Sequence, residues 1–231
     1  MPEWRTNTHC KCRDFIMNNT NLDFRLLHDS GKILCFVGPS YGNFTLFNYF
    51  QPTRPCEIYR IEEIENNSSD WFDARQFISV SADIALKRRI VDSLQKHNPD
   101  YFSVVAARCH IGFNVEIGRG TYISDFNTLL DNTVVGNYVV ITHYVSLSHE
   151  VKIGDYCHIG PSAYLLFTNL GAGSYVAAKS NFLGKTKSPI TTADHCNYLI
   201  GSTVTKNITA TGTYHNNRHL NSNSSLNTKI D

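Results

Sequence analysis

Residues 105–165 read VAARCH IGFNVE IGRGTY ISDFNT LLDNTV VGNYVV ITHYVS LSHEVK IGDYCH IGPSAY L when broken into sixes. Every block opens on an aliphatic residue: Val105, Ile111, Ile117, Ile123, Leu129, Val135, Ile141, Leu147, Ile153, Ile159 and Leu165. Four residues on stands a small or β-branched companion in most blocks, as in Cys109, Val115, Thr121, Thr133, Val139, Val145, Val151, Cys157 and Ala163, and glycine or serine often follows the anchor. A helix needs apolar residues three or four apart and a half-buried strand needs alternation, so neither period fits. Short flat strands that each turn a corner do fit. Three hexads then make one triangular coil, and coils stack at the strand spacing of about 4.8 Å into a parallel β-helix of hexapeptide repeats. No single coil can bury its own core, so the run folds as a stack.

Toward the C-terminus, the phase slips by one residue after Leu165 and continues through Leu170, Val176 and Phe182. Lys185 to Ile190 (KTKSPI) interrupts it, and Tyr198 to Gly201 with Val204 reads as a last coil, so the β-helix is expected over 99–207. An insertion at a coil corner projects as a loop and often borders a site. Residues 208–231 are rich in Asn, Ser, Thr and His and read as a C-terminal tail, poorly ordered or ordered only against a neighbour.

Toward the N-terminus, residues 31–98 read as a small α/β domain. Lys32 to Val37 is a buried strand, Gly38-Pro39-Ser40-Tyr41-Gly42-Asn43 a turn, and Phe44 to Phe50 an apolar segment of helical or mixed character. A strand, a glycine-bearing turn and a helix open a nucleotide-binding unit, although two glycines four apart are not the full dinucleotide fingerprint. Cys56 to Ile61 and Gln76 to Val80 supply two further strands. Ser81 is placed to cap a helix with Leu86, Ile90 and Leu94 on its buried side, Lys87, Arg88 and Arg89 on its wet side, and Asn98-Pro99 at its end. A domain this short suits a mononucleotide-sized ligand better than a dinucleotide. Residues 1–30 are an Asn-rich extension with weak periodicity.

The formal charge of +1 across 231 residues gives no basic half to neutralise phosphates, which argues against a nucleic-acid partner. No apolar run has membrane-spanning length and the first residues are polar, so no membrane role is expected and a cytoplasmic location is. The seven cysteines are odd in number and scattered, and Cys109 and Cys157 fall at inward repeat positions, so disulfides are not expected. His9, Cys10 and Cys12 lack a second pair at zinc spacing and read as part of a polar tail. His110, His143, His149 and His158 all escape the inward phases, yet no two of them are separated by 18 residues or a multiple, the spacing that stacked zinc ligands on this coil need. No metal is expected. His149-Glu150 lies where one face turns into the next, and a neighbouring carboxylate can orient an imidazole and raise its basicity.

The stretch Ser148-His-Glu-Val-Lys-Ile-Gly-Asp-Tyr-Cys-His-Ile-Gly160 resembles the catalytic segment of bacterial sugar N-acetyltransferases of the PglD, NeuD and VioB type. Domain order agrees over residues 31–207. The resemblance implies a Rossmann-like N-terminal domain holding a UDP- or dTDP-linked amino sugar, a left-handed β-helix, acetyl-CoA as acyl donor with no metal, and a homotrimer with the cofactor between neighbouring β-helices. Tyr138, Tyr144, Tyr156, Tyr164 and Phe167, read as outward, are aromatic surface available for such an assembly. His149 matches the family's general base, Glu150 the acid that polarises it, and His158 the histidine that contacts acetyl-CoA. Gly160, Ala178, Ile200 and Gly201 fall where the family lines the cofactor, and Gly38, Pro39, Ser40, Tyr41 and Ser81 where it holds the nucleotide sugar. Thr142 stands where the family often has Asn, seven residues before the base, and Pro39 with Tyr41 replaces much of the usual glycine-rich loop.

The implied chemistry is direct transfer to a sugar amine, for surface glycan biosynthesis. O-acetylation of a sugar or sialic-acid-like acceptor by the same histidine is an alternative, and a non-catalytic β-helix scaffold is another.

Overall fold

A computed structural model of the chain describes residues 24–64 and 66–220. His9, Cys10 and Cys12 lie outside the described residues. From 103 onward the chain winds into a three-faced parallel β-helix whose faces are a nine-stranded, a six-stranded and a five-stranded sheet. Coils repeat at 18 residues where Thr128 pairs with Ser146 and Leu129 with Leu147, drop to 17 where Ile153 pairs with Leu170, and rise to 22 where Thr168 pairs with Ile190. The phase slip is therefore one residue deleted at the Phe167 corner. The longer coil is the KTKSPI insertion, closed by paired backbone bonds between Lys185 and Ser188.

Ile123, Leu129, Val135, Ile141, Leu147, Ile153, Ile159 and Leu165 form the buried interior with Val139, Val145, Val151, Cys157 and Ala163. Ile111 and Ile117, on the first coil and at the end of their sheets among the described residues, are only partly buried. The rhythm is also written in the backbone. Asn114, Gly120, Phe126, Asn132, Tyr138, Tyr144, Glu150, Tyr156 and Ser162, one per hexad, have φ between 53° and 66°. A non-glycine residue there costs about 1 kcal/mol. The bend aims its N–H at the coil below, as Asn132 does at Phe113 O, Tyr144 at Asp125 O and Ser162 at His143 O, and that bond offsets the strain. Small residues beside the corners let coils approach: a Cβ on Gly118 would stand 2.5 Å from the carbonyl of Gly136.

The N-terminal part is a four-stranded parallel sheet in the order β3-β2-β4-β5, with β2 Ile33–Val37, β3 Cys56–Tyr59, β4 Arg75–Ile78 and β5 Asp100–Tyr101. Helix α1 (Tyr41–Phe50) follows β2, the short α2 (Ser69–Asp73) precedes β4, and α3 (Ile84–Gln95) follows it. Leu34 and Phe36 pack with Leu46 and Phe50 of α1, while Cys35 and Val37 pack with Ile90, Val91 and Leu94 of α3, so helices cover both faces. Helix α3 is capped by Asp83, whose carboxylate accepts from Leu86 N at 2.9 Å, and not by Ser81, whose hydroxyl accepts from Asp83 N.

Three further expectations are corrected. Lys87 is not on a wet face: it is fully buried, because α3 is sandwiched between its own sheet and the β-helix. Tyr138 and Tyr156 stack on each other at 4.9 Å and join the α3 cluster, so they are seam residues and not free outer surface. The two termini are part of the fold where they are described. Strand β1 (Phe24–Leu27) pairs antiparallel with β6 (Ser103–Ala106), and Gly212–His215 pairs with Cys196–Tyr198 and folds back on Arg218–Leu220. Among the described residues no helix is long and apolar enough to cross a membrane.

Candidate functional site

The site grows from the end of β2. Gly38 has φ 104°, open to glycine alone at low cost, and its N–H bonds Tyr59 O, which swings Pro39 and Ser40 out over the sheet edge. Ser40 caps α1 by accepting from Asn43 N. Asn43, fully buried, donates to Val37 O at 2.8 Å and Gly38 O at 2.9 Å and accepts from Val80 N at 3.0 Å, so one amide staples the turn to the end of β4.

This turn faces the outer side of the nine-stranded sheet across a cavity of about 490 Å³. Pro39, Ser40 and Tyr41 form one wall, with Tyr122, Ser124, Thr142, His143 and His158 opposite. Gly38 and Ser81 lie behind the wall and shape it without lining it.

His158 is 5% exposed and stacks on Tyr175 at 4.8 Å with planes 8° apart. Its Nδ1 is buried with no hydrogen-bond partner among the described residues. Burial, and then the nearby charge of Lys87, push its pKa down to about 4, so the ring is neutral at pH 7. The thiol of Cys157 points into the core, and burial pushes it up to about 12, which makes it packing and not a nucleophile.

The corner between the nine- and six-stranded faces forms a column. Tyr144 N bonds Asp125 O, Ser162 N bonds His143 O, Lys179 N bonds Pro161 O and Gly201 N bonds Ala178 O. Gly160, Ala178, Ile200 and Gly201 thus stand on the same edge as His143, with Ile200 66% exposed. The structure brings these four together. It does not bring His149 and Glu150 to them: that pair follows Ser146–Leu147 and precedes Lys152–Ile153, at the corner between the six- and five-stranded faces. Both are exposed, Glu150 is the left-handed corner residue, and the His149 ring packs against Phe167 at 6.0 Å.

Sequence reading missed Tyr122 and Ser124 as cavity residues, passed over His143 once the zinc spacing failed, and misplaced Lys87. An outward position on a β-helix face carries no signal of what covers it. Among the described residues no group of three or more His, Cys, Asp or Glu is placed to hold a metal.

Comparison with known proteins gives the following. The family described as bacterial transferase hexapeptide (six repeats) matches residues 132–166. No curated protein matches the chain. Among solved structures, the acetyltransferase domain of PglB from Neisseria gonorrhoeae is similar over 79% of this chain and 95% of its own, at 13% identity and a TM-score of 0.67. WeeI from Acinetobacter baumannii is similar over 82% and 100%, at 20% identity and 0.64. PerB from Caulobacter crescentus, in complex with CoA and GDP-perosamine, is similar over 80% and 94%, at 11% identity and 0.68. At these identities the likeness is one of fold: hexapeptide repeats in parallel sheets, of the left-handed β-helix kind, behind a smaller α/β unit.

Proposed function

We propose that the chain is an acetyl-CoA-dependent N-acetyltransferase acting on the amine of a nucleotide-linked amino sugar, working as a homotrimer. The observation that carries this reading is a cavity lined by the Pro39–Tyr41 turn on one side and neutral His158 on the other. PerB, similar in fold, was solved with CoA and the nucleotide amino sugar GDP-perosamine, which supports the substrate class and adds GDP to the UDP and dTDP first expected. On this reading the four-stranded sheet is a Rossmann-like unit in which the turn and Ser81 form the nucleotide-sugar side. The orphaned Nδ1 of His158 and the small residues Gly160, Ala178 and Gly201, with Ile200, suit the carbonyl and extended amide chain of acetyl-CoA.

His149 is the base. It stands one corner away from its own chain's cavity, so on this reading the imidazole that serves the cavity comes from the His149 corner of a neighbouring copy. Glu150 orients the ring. His149 takes a proton from the amine as nitrogen attacks the thioester carbonyl. The C–N bond forms, a backbone N–H of a neighbouring coil meets the oxyanion, and the C–S bond breaks as the imidazolium returns its proton to the departing thiolate. No acyl-enzyme is needed, because a deprotonated amine is already nucleophilic.

The test is thiol release from acetyl-CoA with UDP-, dTDP- and GDP-linked amino sugars and their hydroxyl counterparts. Transfer to amines alone is expected, and His149→Ala should lower turnover by about 10² to 10⁴. Near-normal turnover in that variant removes His149 from the chemistry, and transfer to hydroxyls selects O-acetylation.

A further inference from the structure

Opposite the Pro39–Tyr41 turn, three cavity residues are joined to one another. The Tyr122 hydroxyl lies 3.3 Å from Ser124 Oγ, and Ser124 Oγ lies 2.8 Å from His143 Nδ1. Tyr122 and Ser124 flank the inward Ile123 on one strand, so both point out of the coil, while His143 stands at the corner one coil above. Ser124 is 2% exposed, so its hydroxyl has few choices of partner.

Burial raises the pKa of Tyr122, which keeps it a phenol, and its O–H is directed at Ser124 Oγ. The serine hydroxyl has one proton, and the 2.8 Å contact passes it to His143 Nδ1 in the tautomer in which that nitrogen is the acceptor. A neutral imidazole with Nδ1 as acceptor carries its hydrogen on Nε2. That nitrogen has no protein partner among the described residues, and the ring lines the cavity. Next to it Asp125 is 3% exposed, but both its oxygens are held by Arg108, at 3.1 and 2.9 Å, so it does not draw the imidazole away. Arg108 is itself fixed over the ring of Phe126, at 4.3 Å.

We infer that the Tyr122–Ser124–His143 chain is a substrate-reading device: it locks one tautomer of His143 so that an Nε2–H donor faces an acceptor oxygen on the sugar-diphosphate part of the bound nucleotide sugar. The inference rests on the proposed function for the existence of that ligand, and assigns His143 a role separate from that of His149. His143 is a specificity residue, and Ser124 and Tyr122 position it.

Calorimetric titration of the full chain tests this without turnover. The probes are a nucleoside, its diphosphate and the corresponding diphosphate-linked amino sugar, in the uridine, thymidine and guanosine series. One neutral hydrogen bond corresponds to roughly threefold to tenfold in affinity. His143→Phe, which keeps an aromatic ring and removes both nitrogens, is expected to lose that factor. If the loss is confined to the sugar-linked ligand the oxygen read is on the hexose, and if it is present already with the diphosphate it is on phosphate. Ser124→Ala, which frees the tautomer but leaves the imidazole, should lose less, and His143→Gln, which keeps an N–H donor, should recover part. Unchanged affinity for all three ligands in His143→Phe overturns the inference while leaving the acetyltransferase reading standing. Failure of the unaltered protein to bind any nucleotide sugar overturns both.

Discussion

The strands of the nine-stranded face have two sides that follow different rules. Inward, Ile123, Ile141, Ile159 and Val176 stack in register, all buried and all aliphatic. Outward, the partners in the same ladder are Tyr122, Val140, His158 and Tyr175; Tyr122 and Val140 pack against the α/β unit, and buried His158 stacks on half-buried Tyr175. Behind them lie Lys87, Asn43, Ser124 and Asp125, polar groups with little or no exposure. The inner column is apolar wherever it can be, so it serves stability. The outer column and its cover bury polar groups at a cost that pure stability does not justify, and it is there that the cavity opens.

Three measurements test this contrast. The largest effect is expected inside. Ile141→Asp puts a carboxylate among Ile123, Ile159 and Val139, where nothing can bond it, and should cost about 5 kcal/mol or more, enough to lose the cooperative melt. Tyr144→Asp, at a 61% exposed outer position, is the control and should melt near the unaltered protein. If Ile141→Asp folds normally, the inner column is not the core.

The seam comes next. Asn43→Ala removes the amide that ties Val37 and Gly38 to Val80, and leaves the Val37 carbonyl and the Val80 N–H unmatched in a buried place, while Gly38 O keeps only the Ser40 N–H. A loss of about 2–4 kcal/mol in a denaturant melt is expected, together with, under the proposed function, weaker binding of nucleotide sugar, because Pro39 and Ser40 lose their support. A loss of stability with binding unchanged would mean that the turn holds its shape without the staple.

How much of this was legible depends on which side a residue faces. The anchors from Val105 to Leu165 announce themselves because a β-helix core is local: each inward residue meets the one 18 away, at a constant offset. His158 was found through the spacing of a motif, nine residues after His149, but its burial was not, because that depends on what a distant segment lays over it. Phe24–Leu27 escaped for the same reason. Four residues in an Asn-rich stretch have no period, and only pairing with Ser103–Ala106 makes them a strand. Lys87 shows the limit of the amphipathic rule: reading one buried stripe per helix assumes one core, whereas α3 has the sheet on one side and the β-helix on the other.

Lys87 also gives the smallest and most discriminating test. Its ammonium donates to Cys157 O at 3.3 Å and meets no carboxylate among the described residues, so burial first, and the charge of Arg88 after it, push its pKa down to about 7. In the unfolded chain a lysine titrates at about 10.4. Between those values the unfolded chain holds a proton the folded one has released, so this residue makes stability rise with pH from about 7 to about 10, and below about 7 its penalty is present in full. The shift sets a ceiling of about 5 kcal/mol, which relaxation and water penetration should reduce to about 1–3. Lys87→Met keeps the length and drops the charge. It should therefore be more stable than the unaltered protein near pH 6.5, by about that amount, and the two should converge toward pH 10 in denaturant melts. His158 adds a second signature. Its pKa, near 4, is held down by burial and by Lys87, and as a base with a depressed pKa it makes stability rise with pH from about 4 to about 6.5. Removing the Lys87 charge moves the lower edge of that window upward, readable as a higher midpoint for the His158 ring protons in a magnetic-resonance titration. Parallel stability curves at every pH would mean that the ammonium reaches water, and that the seam is wetter than its geometry indicates.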